Sequence, residues 1–491
     1  MGVPATSLVV PDLLRRRVEQ QPDQQAINVE GKTAITYGDW DLRSNAVARG
    51  LLARGHGRGT RIALLFGGSD WIDYAIAYLG VLKAGATAVH TNDTYPQAEL
   101  DRRFGQCGVA GIIQGSALPL QRAAPERWVA TLRDFEPLST GPVDVDVRPE
   151  DISDILYTSG TTGPAKPFTN PHGTLTHGRG SAALGKLENP EPLLAPMPLG
   201  TTSSSTTVAV LATTTPAPLI VCRPDEPDRL LELLADHGCG TLILTPHTAI
   251  RLTALRPQDR YDLGTVKVIG NASAPMPPRV ARQLKEAMPN AEVSNAYAQS
   301  EAVPAIVMGV CDPDRPMAVG KPAKGTELLI ADERGEAVAP GELGEVWMRS
   351  PAPKRLYLDE ELNRQVHRDG WTRTRDLGRV GPDGELLLFD RMVDAIATGG
   401  RLVSSLEVEA AVYDHPKVRE AAVIGLPDPD LGRAVTAVVV AEGGLTQAEL
   451  SEFLTGRLEP HQLPTRVHSV ESLPRGGTGK VLKFRLRQEL G

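Results

Sequence analysis

The segment from Tyr157 to Lys166 reads YTSGTTGPAK and concentrates small and hydroxylated residues between an apolar run and a lysine. Gly160 and Gly163 permit positive φ angles and a close approach of the backbone to a ligand. Hydroxyl donors come from Thr158, Ser159, Thr161 and Thr162. Such a surface suits phosphate oxygens, although a flexible turn is the alternative interpretation of this segment alone. The P-loop pattern is not met, because Ala165 and Pro167 flank Lys166, and a G-x-G-x-x-G fingerprint is absent from the loop.

The composition describes a folded protein that does not work on nucleic acids. The chain has 491 residues, of which 41% are hydrophobic and 23% charged, as is typical of globular proteins with two or more domains. A formal net charge of -8 argues against binding by neutralisation of nucleic-acid phosphates. Any phosphate is therefore expected to be held locally.

The cysteine spacing and the hydropathy of the chain indicate the cellular compartment in which the protein is expected. The four cysteines form no C-x-x-C pair and are expected to be buried apolar thiols: Cys107, Cys222, Cys239 and Cys311. No stretch approaches the roughly 20 apolar residues that cross a bilayer, and the N-terminus lacks a basic segment followed by an apolar one. We expect a cytoplasmic protein without membrane contact.

The elements that must position the loop alternate between helix and strand. Apolar residues at helical spacing occupy 12–21 and 37–54, a β-type run covers 61–66, and 71–89 combines a helix, a glycine stop and a strand. The alternation resumes between 217 and 288. This rhythm predicts helices packed on largely parallel sheets.

The pattern changes beyond about residue 310. Short β-type runs with Gly/Pro turns, such as ELLIADERGEAVAPGELGEVWMR and GPDGELLLFDR, predict an antiparallel, β-barrel-like part. Helix, strand and helix signals follow Arg391. We therefore predict an α/β protein with a large N-terminal domain at 1–390, a hinge at 391–394 and a small, mobile α+β domain at 395–491.

Ordered motifs over almost the whole chain resemble one family. The segment YTSGTTGPAK resembles the phosphate loop of the AMP-forming adenylating superfamily, which contains acyl- and aryl-CoA synthetases, peptide-synthetase adenylation domains and firefly-type luciferases. Further blocks resemble the family's motifs in the expected order: LKAGATAV, NAYAQSEA, GWTRTRDLG, DRMVDAIATGGRLVSSLEVE and LPRGGTGKVLK. A chance coincidence of ordered motifs over this length is negligible.

This resemblance implies the activation of a carboxylic acid by ATP. A carboxylate attacks the α-phosphate, pyrophosphate leaves, and a nucleophile, usually a thiol, takes the acyl group from acyl-AMP. Because both reactants are anions, the enzyme must supply alignment and positive charge. By resemblance, Glu301 holds Mg2+ and Lys480 bridges the carboxylate and the α-phosphate. The phosphate contacts fall on Thr158, Ser159, Gly160, Thr161, Thr162, Gly163 and Lys166.

The resemblance also assigns the nucleoside, the acceptor and the hinge. Tyr297 would stack on adenine, while Asp376 would accept hydrogen bonds from the ribose hydroxyls with help from Arg391. The other ATP- and AMP-binding residues are Ser273, Ala274, Pro275, Asn295, Ala296 and Ser300. Gly399 and Gly400 resemble the paired glycines that CoA ligases present to pantetheine, and Val393 occupies the hinge position. For each residue alone the alternative is a solvated surface acid for Glu301, a turn residue for Asp376 and a solvated tail lysine for Lys480. Solvated tail residues are the expectation for Lys483, Arg485 and Arg487.

Several positions depart from the family pattern. Pro167 and Phe168 follow the loop lysine where a glycine and a small apolar residue are usual, and Arg375 replaces a glycine. Val393 stands where Asp or Lys is usual, and its β-branched side chain predicts a less accessible second pose of the small domain. Small polar residues at 200–207 predict a roomy or hydrogen-bonding acyl pocket.

The leading hypothesis is an AMP-forming acid–thiol ligase that uses ATP, Mg2+ and coenzyme A, as a monomer or homodimer. The expected substrate is a bulky aryl, cyclic or medium acyl acid, such as a specialised acid of secondary metabolism. One alternative is a free-standing adenylase that passes acyl-AMP to a carrier protein or a separate ligase, which Val393 favours. Another is a non-catalytic nucleotide-binding protein on the same fold, against which Glu301 and Lys480 together argue. A luciferase-type oxygenase would share the same motifs.

Overall fold

The computed structural model describes residues 8–68, 70–119, 121, 127–158, 165–178, 190–271, 273–476 and 479–491. These residues form two compact units. The first unit comprises the described residues of 1–158, 166–243 and 351–363. The second comprises Ala165 together with the described residues of 244–350 and 364–491. The division into a large domain at 1–390, a hinge at 391–394 and a small domain at 395–491 stays a prediction.

The helices of the described chain are numbered in chain order. They are α1 Val10–Gln20, α2 Tyr37–Ala53, α3 Trp71–Lys83, α4 Gln97–Gln106, α5 His172–Thr176, α6 Thr202–Thr206, α7 Ala212–Thr214, α8 Pro227–Asp236, α9 Pro246–Ala254, α10 Pro278–Ala287, α11 Glu360–Val366, α12 Ser405–Tyr413, α13 Gln447–Leu454 and α14 Lys483–Leu490. A π-helical turn at Thr207–Leu211 joins α6 to α7. Among these described helices, none is long and apolar enough to cross a membrane.

The strands are numbered in the same way. They are β1 Gln25–Val29, β2 Thr33–Thr36, β3 Arg61–Phe66, β4 Thr87–Asn92, β5 Gly111–Gln114, β6 Trp128–Ala130, β7 Ile152–Tyr157, β8 Pro167–Pro171, β9 Leu193–Pro196, β10 Leu219–Cys222, β11 Thr241–Leu244, β12 Val268–Asn271, β13 Glu292–Tyr297, β14 Val307–Val310, β15 Ala318–Pro322, β16 Glu327–Ala331, β17 Gly344–Arg349, β18 Leu356–Tyr357, β19 His367–Arg368, β20 Trp371–Val380, β21 Leu386–Arg391, β22 Ile396–Thr398, β23 Arg401–Val403, β24 Val418–Asp428, β25 Gly432–Ala441 and β26 Arg466–Ser469.

The first unit contains parallel sheets covered by helices, as predicted. One sheet has the order β18-β8-β7-β4-β3-β5-β6, in which β7, β4, β3, β5 and β6 are parallel. Strands β11, β9, β10 and β1 form a second parallel set, and β2 pairs with β1 antiparallel. Helix α3 is buried along nearly its whole length, because sheets of this type are covered on both faces. The β4 strand is buried at all six positions.

The second unit changes from parallel to antiparallel pairing, also as predicted. Strands β12 and β13 are parallel, whereas β14, β15, β21, β20, β17 and β16 continue in antiparallel order. In the C-terminal part, β24 pairs antiparallel with β25 and β25 parallel with β26. The fold is thus α/β with an α+β C-terminal part. The expectation of four buried thiols needs one correction. Cys311, the first residue after the end of β14, is half-buried, while the other three cysteines are buried.

Candidate active site

Asp376 stands at the centre of a group of side chains in the second unit. It lies on β20, opposite Arg391 on β21, and is only 4% exposed. Its Oδ2 atom accepts hydrogen bonds from the Tyr297 hydroxyl at 2.8 Å and from Gln299 Nε2 at 2.6 Å. Arg391 Nε lies 3.8 Å from Oδ1. Burial raises the pKa of Asp376, although Arg391 and the two hydrogen bonds oppose that rise.

Lys480 belongs to the same group. Arg475 and Val481 form an antiparallel bridge, Gly476 N–H donates to Lys480 O at 2.9 Å, and Gly479 N–H donates to Gly476 O at 2.9 Å, so the described residues on both sides of Lys480 are joined in a turn. Arg475 fixes this turn, because its guanidinium donates to Gly479 O and pairs with Glu420 of β24. The lysine is therefore carried on a braced turn and not on a free tail.

The electrostatics of Lys480 connect it to three predicted site residues. Burial, together with the charge of Arg391, lowers the pKa of its ammonium to about 8. The carboxylates of Asp376 and Glu301 oppose this shift. Glu301 lies just beyond β13, in a turn where Ala302 N–H donates to Gln299 O at 3.0 Å. The structure thus brings together Glu301, Asp376, Arg391 and Lys480, which are far apart in sequence.

The residues predicted for adenine lie at the ends of parallel strands. Asn271 ends β12 and is the register neighbour of Asn295 on β13. Asn271 Nδ2 donates to Asn295 Oδ1 and to Ala274 O, both at 3.1 Å, while its buried Oδ1 has no hydrogen-bond partner among the described residues. Ser273 has a left-handed φ of 82°. Because ligands of parallel sheets bind at the carboxyl ends of strands, this unused acceptor suits an amino group of a nucleobase.

The base of the phosphate loop lies in the first unit. Thr158 N–H donates to Lys166 O at 3.0 Å, and Lys166 N–H donates to Thr158 Oγ1 at 3.1 Å. The Thr158 hydroxyl therefore helps to close the loop, and the Lys166 side chain is exposed. The other predicted phosphate contacts, Ser159, Gly160, Thr161, Thr162 and Gly163, lie outside the described residues.

Pro167 and Phe168 have a structural role. They begin β8, where Pro167 pairs with Tyr157 and Phe168 with Tyr357 of β18. Phe168 is 1% exposed and lies beneath the Arg355 guanidinium, which is 5.5 Å from the ring centroid. The unusual residues after the loop lysine are therefore part of the core of the first unit.

The backbone conformation of Arg375 shows why a glycine is usual before Asp376. Its φ is 59°, in the left-handed region that favours glycine. The backbone N–H donates to Glu345 Oε1 at 3.1 Å, and the exposed guanidinium reaches Gln365 Oε1 at 3.4 Å. The cation is thus engaged by neighbours on the protein.

The glycine pair and the hinge position lie in the C-terminal part. Gly399 and Gly400 form the two-residue turn between β22 and β23 with φ angles of 53° and 75°, as a type I′ turn requires. Val393 is 52% exposed, and the adjacent Asp394 pairs with Arg487 of α14 at 2.9 Å. The roles of the glycines toward coenzyme A and of Val393 in domain motion stay predictions.

The hydroxyl-rich segment at 200–207 forms helix α6 and the start of the π-helical turn. Several of its hydroxyls donate to nearby backbone carbonyls: Thr201 Oγ1 to Pro198 O at 3.0 Å, Ser204 Oγ to Thr201 O at 2.8 Å, and Ser205 Oγ to Thr202 O at 3.2 Å. These groups therefore have local partners already. A polar acyl pocket at 200–207 therefore stays a prediction, which depends on the other hydroxyls of the segment.

Two site residues and two ion pairs escaped the sequence reading. Gln299 alternates with Tyr297 and Glu301, and this period of two was the signal that could have revealed it. Asn271 had no role in the sequence-based prediction. The interpretation of Lys483 and Arg487 as solvated tail residues is wrong, because Lys483 Nζ pairs with Glu409 Oε1 at 2.6 Å and Arg487 pairs with Asp394.

The chain belongs to the family of AMP-binding enzymes, whose pattern matches residues 14–358. The C-terminal domain of AMP-binding enzymes matches residues 407–480, which end at Lys480. It is therefore an enzyme of the AMP-forming adenylating superfamily, and the resemblance drawn from the motifs is confirmed.

Curated relatives and solved structures cover almost the whole chain. Feruloyl-CoA synthase of Amycolatopsis sp is 29% identical over 97% of this chain and 98% of its own length. 4-Coumarate-CoA ligase 1 of Narcissus pseudonarcissus is 27% identical over 93% of this chain and 89% of its own. The crystal structure of ATP-bound MatB from Rhodopseudomonas palustris superposes with a TM-score of 0.86 at 26% identity, covering 98% of this chain and 99% of that one. These relatives support the expected class of AMP-forming acid–thiol ligase.

Proposed function

We propose that the enzyme converts an aryl carboxylic acid to acyl-AMP and transfers the acyl group to coenzyme A. The convergence of Lys480 with Asp376, Arg391 and Glu301 carries this proposal. A cation on a braced turn that interacts electrostatically with a buried carboxylate suited to a ribose supports it. The names of the curated relatives support a hydroxycinnamate-type acid within the predicted aryl class. A role in secondary metabolism stays a prediction.

Each group contributes a separate part of the adenylation step. Lys480 offsets the negative charge that grows as the carboxylate oxygen bonds to the α-phosphorus and the bond to pyrophosphate breaks. Asp376 accepts from the ribose hydroxyls and thereby fixes the nucleotide, while Asn271 Oδ1 accepts from the base. Acyl transfer then forms the thioester carbonyl–sulfur bond and releases AMP.

The described residues fit a magnesium ion held mainly by substrate. In proteins Mg2+ is commonly bound by one or two carboxylates together with substrate phosphates, and Glu301 supplies one such carboxylate near Lys480. No group of three or more His, Cys, Asp or Glu side chains among the described residues forms a cage of its own. When bound, the ion would neutralise phosphate charge.

The test measures the two half-reactions separately. Purified enzyme is incubated with ATP and Mg2+ and a panel that contains 4-coumarate, ferulate, benzoates, cyclic acids and medium-chain acids, and pyrophosphate release is recorded. Coenzyme A is then added and the thioester is quantified by mass. Pyrophosphate release with an aryl acid and a matching thioester is expected.

Other outcomes separate the alternatives. Pyrophosphate release without thioester, while a purified carrier protein becomes loaded, would favour the free-standing adenylase. No pyrophosphate release with any acid, despite measurable ATP binding, would favour the non-catalytic nucleotide-binding protein. Release only with medium-chain acids would contradict the aryl assignment.

A further inference from the structure

A chain of polar side chains runs through the apolar core of the first unit. His90 on β4 lies between Asp154 of β7 and Tyr74 of α3, with Nε2 3.0 Å from Asp154 Oδ1 and Nδ1 2.9 Å from the Tyr74 hydroxyl. The same hydroxyl is 3.3 Å from Ser204 Oγ on α6. None of these four side chains is more than 1% exposed. A continuous line of contacts thus connects β7 with α6.

The Asp154 end of this chain is firmly anchored. Its Oδ2 atom accepts from Asn170 Nδ2 at 3.0 Å and from Ser153 Oγ at 3.2 Å, and Asn170 Oδ1 accepts from Arg355 Nε at 3.0 Å. Burial raises the pKa of Asp154, but its hydrogen-bond partners, led by the hydrogen bond and charge of His90, together more than offset this, and the pKa falls below its usual value. A buried carboxylate of this kind is stable only while its partners stay in place.

Proton placement makes Tyr74 the obligatory link. A carboxylate only accepts, so His90 Nε2 donates to Asp154. If His90 is an imidazolium, Tyr74 accepts from it and donates to Ser204 Oγ, whose own hydrogen is donated to Thr201 O. If His90 is neutral, Tyr74 donates to its Nδ1, and Ser204 turns its one hydrogen from Thr201 O to the Tyr74 oxygen. In both arrangements the Tyr74 hydroxyl joins the anchored end to α6.

Strand β4 holds the segment before α6 at two further points. Asn92 Nδ2 donates to Leu199 O at 3.2 Å. Gly200 has a φ of 71°, and a Cβ atom there would meet Thr91 O at 2.4 Å. Beyond α6 the helix passes into the π-helical turn at Thr207–Leu211, a geometry that is often found at functional sites. The segment at 200–207 is therefore fixed from β4 and α3.

We propose that His90 and Tyr74 are positioning residues that hold α6 in place and thereby determine which carboxylates the enzyme accepts. This inference rests on the proposed function and on the sequence-based prediction that residues 200–207 line the acyl pocket. The chain of contacts touches α6 but includes none of the groups assigned to ATP. A break in it therefore affects binding of the carboxylate, and binding of ATP stays unchanged.

The kinetic test uses Tyr74→Phe, which removes the hydroxyl and keeps the ring. We expect the KM for the best carboxylate to rise roughly tenfold, as loss of one buried hydrogen bond predicts, with the KM for ATP within about twofold. Ser204→Ala should have a similar effect. Thr213→Val is the matched control, since Thr213 is buried on α7 outside residues 200–207 and its hydroxyl donates to Ala209 O.

A double-mutant cycle separates the link from general loosening. Tyr74→Phe and Ser204→Ala break the same contact, so their effects on KM should be less than additive, whereas Tyr74→Phe and Thr213→Val should add. Equal effects of Ser204→Ala and Thr213→Val, or equal changes in the KM for ATP and for the carboxylate, would overturn the proposal.

Amide hydrogen exchange provides a readout that does not depend on activity. In Tyr74→Phe the amides of residues 202–211 should exchange at least about tenfold faster, while those of α12 keep their rates. Unchanged exchange at 202–211 would overturn the positioning role even if wild-type enzyme activated an acid. Faster exchange in an enzyme that releases no pyrophosphate would uphold the positioning of α6 and reject the proposed function alone.

Discussion

Two buried aspartates, Asp376 and Asp154, are held in opposite ways. Burial raises the pKa of Asp376, even though Tyr297, Gln299 and Arg391 surround it. Asp154 is as deeply buried, yet His90 keeps its pKa below the usual value. The first carboxylate is left short of compensation, as is common where a ligand completes a site, and the second is satisfied by the protein itself. This contrast is expected if Asp376 binds a ligand and Asp154 stabilises the fold.

The largest effect is expected for Lys480→Ala, which removes the cation from the group around Asp376. Loss of a charge-stabilising donor costs about 3 to 4 kcal/mol in the transition state, or roughly a hundred- to thousand-fold in adenylation rate. Thioester formation from supplied acyl-AMP should persist. Pyrophosphate release and single-turnover thioester formation measure the two steps.

The control for this variant is Arg485→Ala, which removes an exposed cation from α14 close in sequence. It should leave both half-reactions unchanged. An equal loss of both half-reactions in Lys480→Ala would contradict its assigned role.

The comparison itself is tested by making the same substitution at both aspartates. Asp154→Asn should lower the free energy of unfolding by about 2 to 3 kcal/mol, because it weakens buried hydrogen bonds to a charged group. Asp376→Asn should leave stability nearly unchanged or raise it, since burial already disfavours its charge, while the KM for ATP rises. Urea unfolding and ATP kinetics provide the measurements.

The pH dependence has a definite sign for each aspartate. A carboxyl whose folded pKa is lowered stabilises above its unfolded pKa, so the deficit of Asp154→Asn should shrink as the pH falls below about 4. A raised folded pKa has the opposite sign, so Asp376→Asn should gain relative stability as the pH rises. Similar unfolding curves for the two variants would remove the distinction.

A smaller effect is expected for Gln299→Leu, which takes one donor from Asp376. Loss of a hydrogen bond to a carboxylate costs about 1.5 kcal/mol, or roughly tenfold in the KM for ATP, and the carboxylate KM should not change. Gln299→Glu should be worse, because it places a second negative charge beside Asp376. A harmless Gln299→Glu would show that Gln299 does not act through this carboxylate.

The smallest effect concerns the charge state of Lys480 in the wild-type enzyme. With the pKa of Lys480 lowered to about 8, kcat/KM for adenylation should decline as the pH rises through about 8, since the free enzyme then loses its cation. ATP should raise this pKa, so kcat should decline only at higher pH. A flat kcat/KM profile from pH 7 to roughly 10 would contradict the burial of this ammonium.

The sequence was informative wherever local pattern and motif order sufficed. Glycines around Lys480, the alternation of strands and helices, and the antiparallel change beyond about residue 310 all follow from short-range signals. Asp376 and Glu301 were found in the same way, through the order of motifs. The structure places both in one group with Lys480.

Contacts between distant segments could not be read in this way. His90 and Asp154 are 64 residues apart, and each lies in a strand that reads as apolar β-structure. The reason for Phe168 likewise appeared only with Arg355, which packs over its ring from much later in the chain. Such pairs are set by sheet order, which a single sequence does not specify.

Gly200 has a consequence for attempts to change the substrate range. Its left-handed backbone and the 2.4 Å that would separate a Cβ atom from Thr91 O leave no room for another residue at this point. Beyond it, Ser204 is held by the side chain of Tyr74 on α3, and this pair can be exchanged together. Designs that change the predicted acyl pocket should therefore begin at residue 201 and keep Gly200 unchanged.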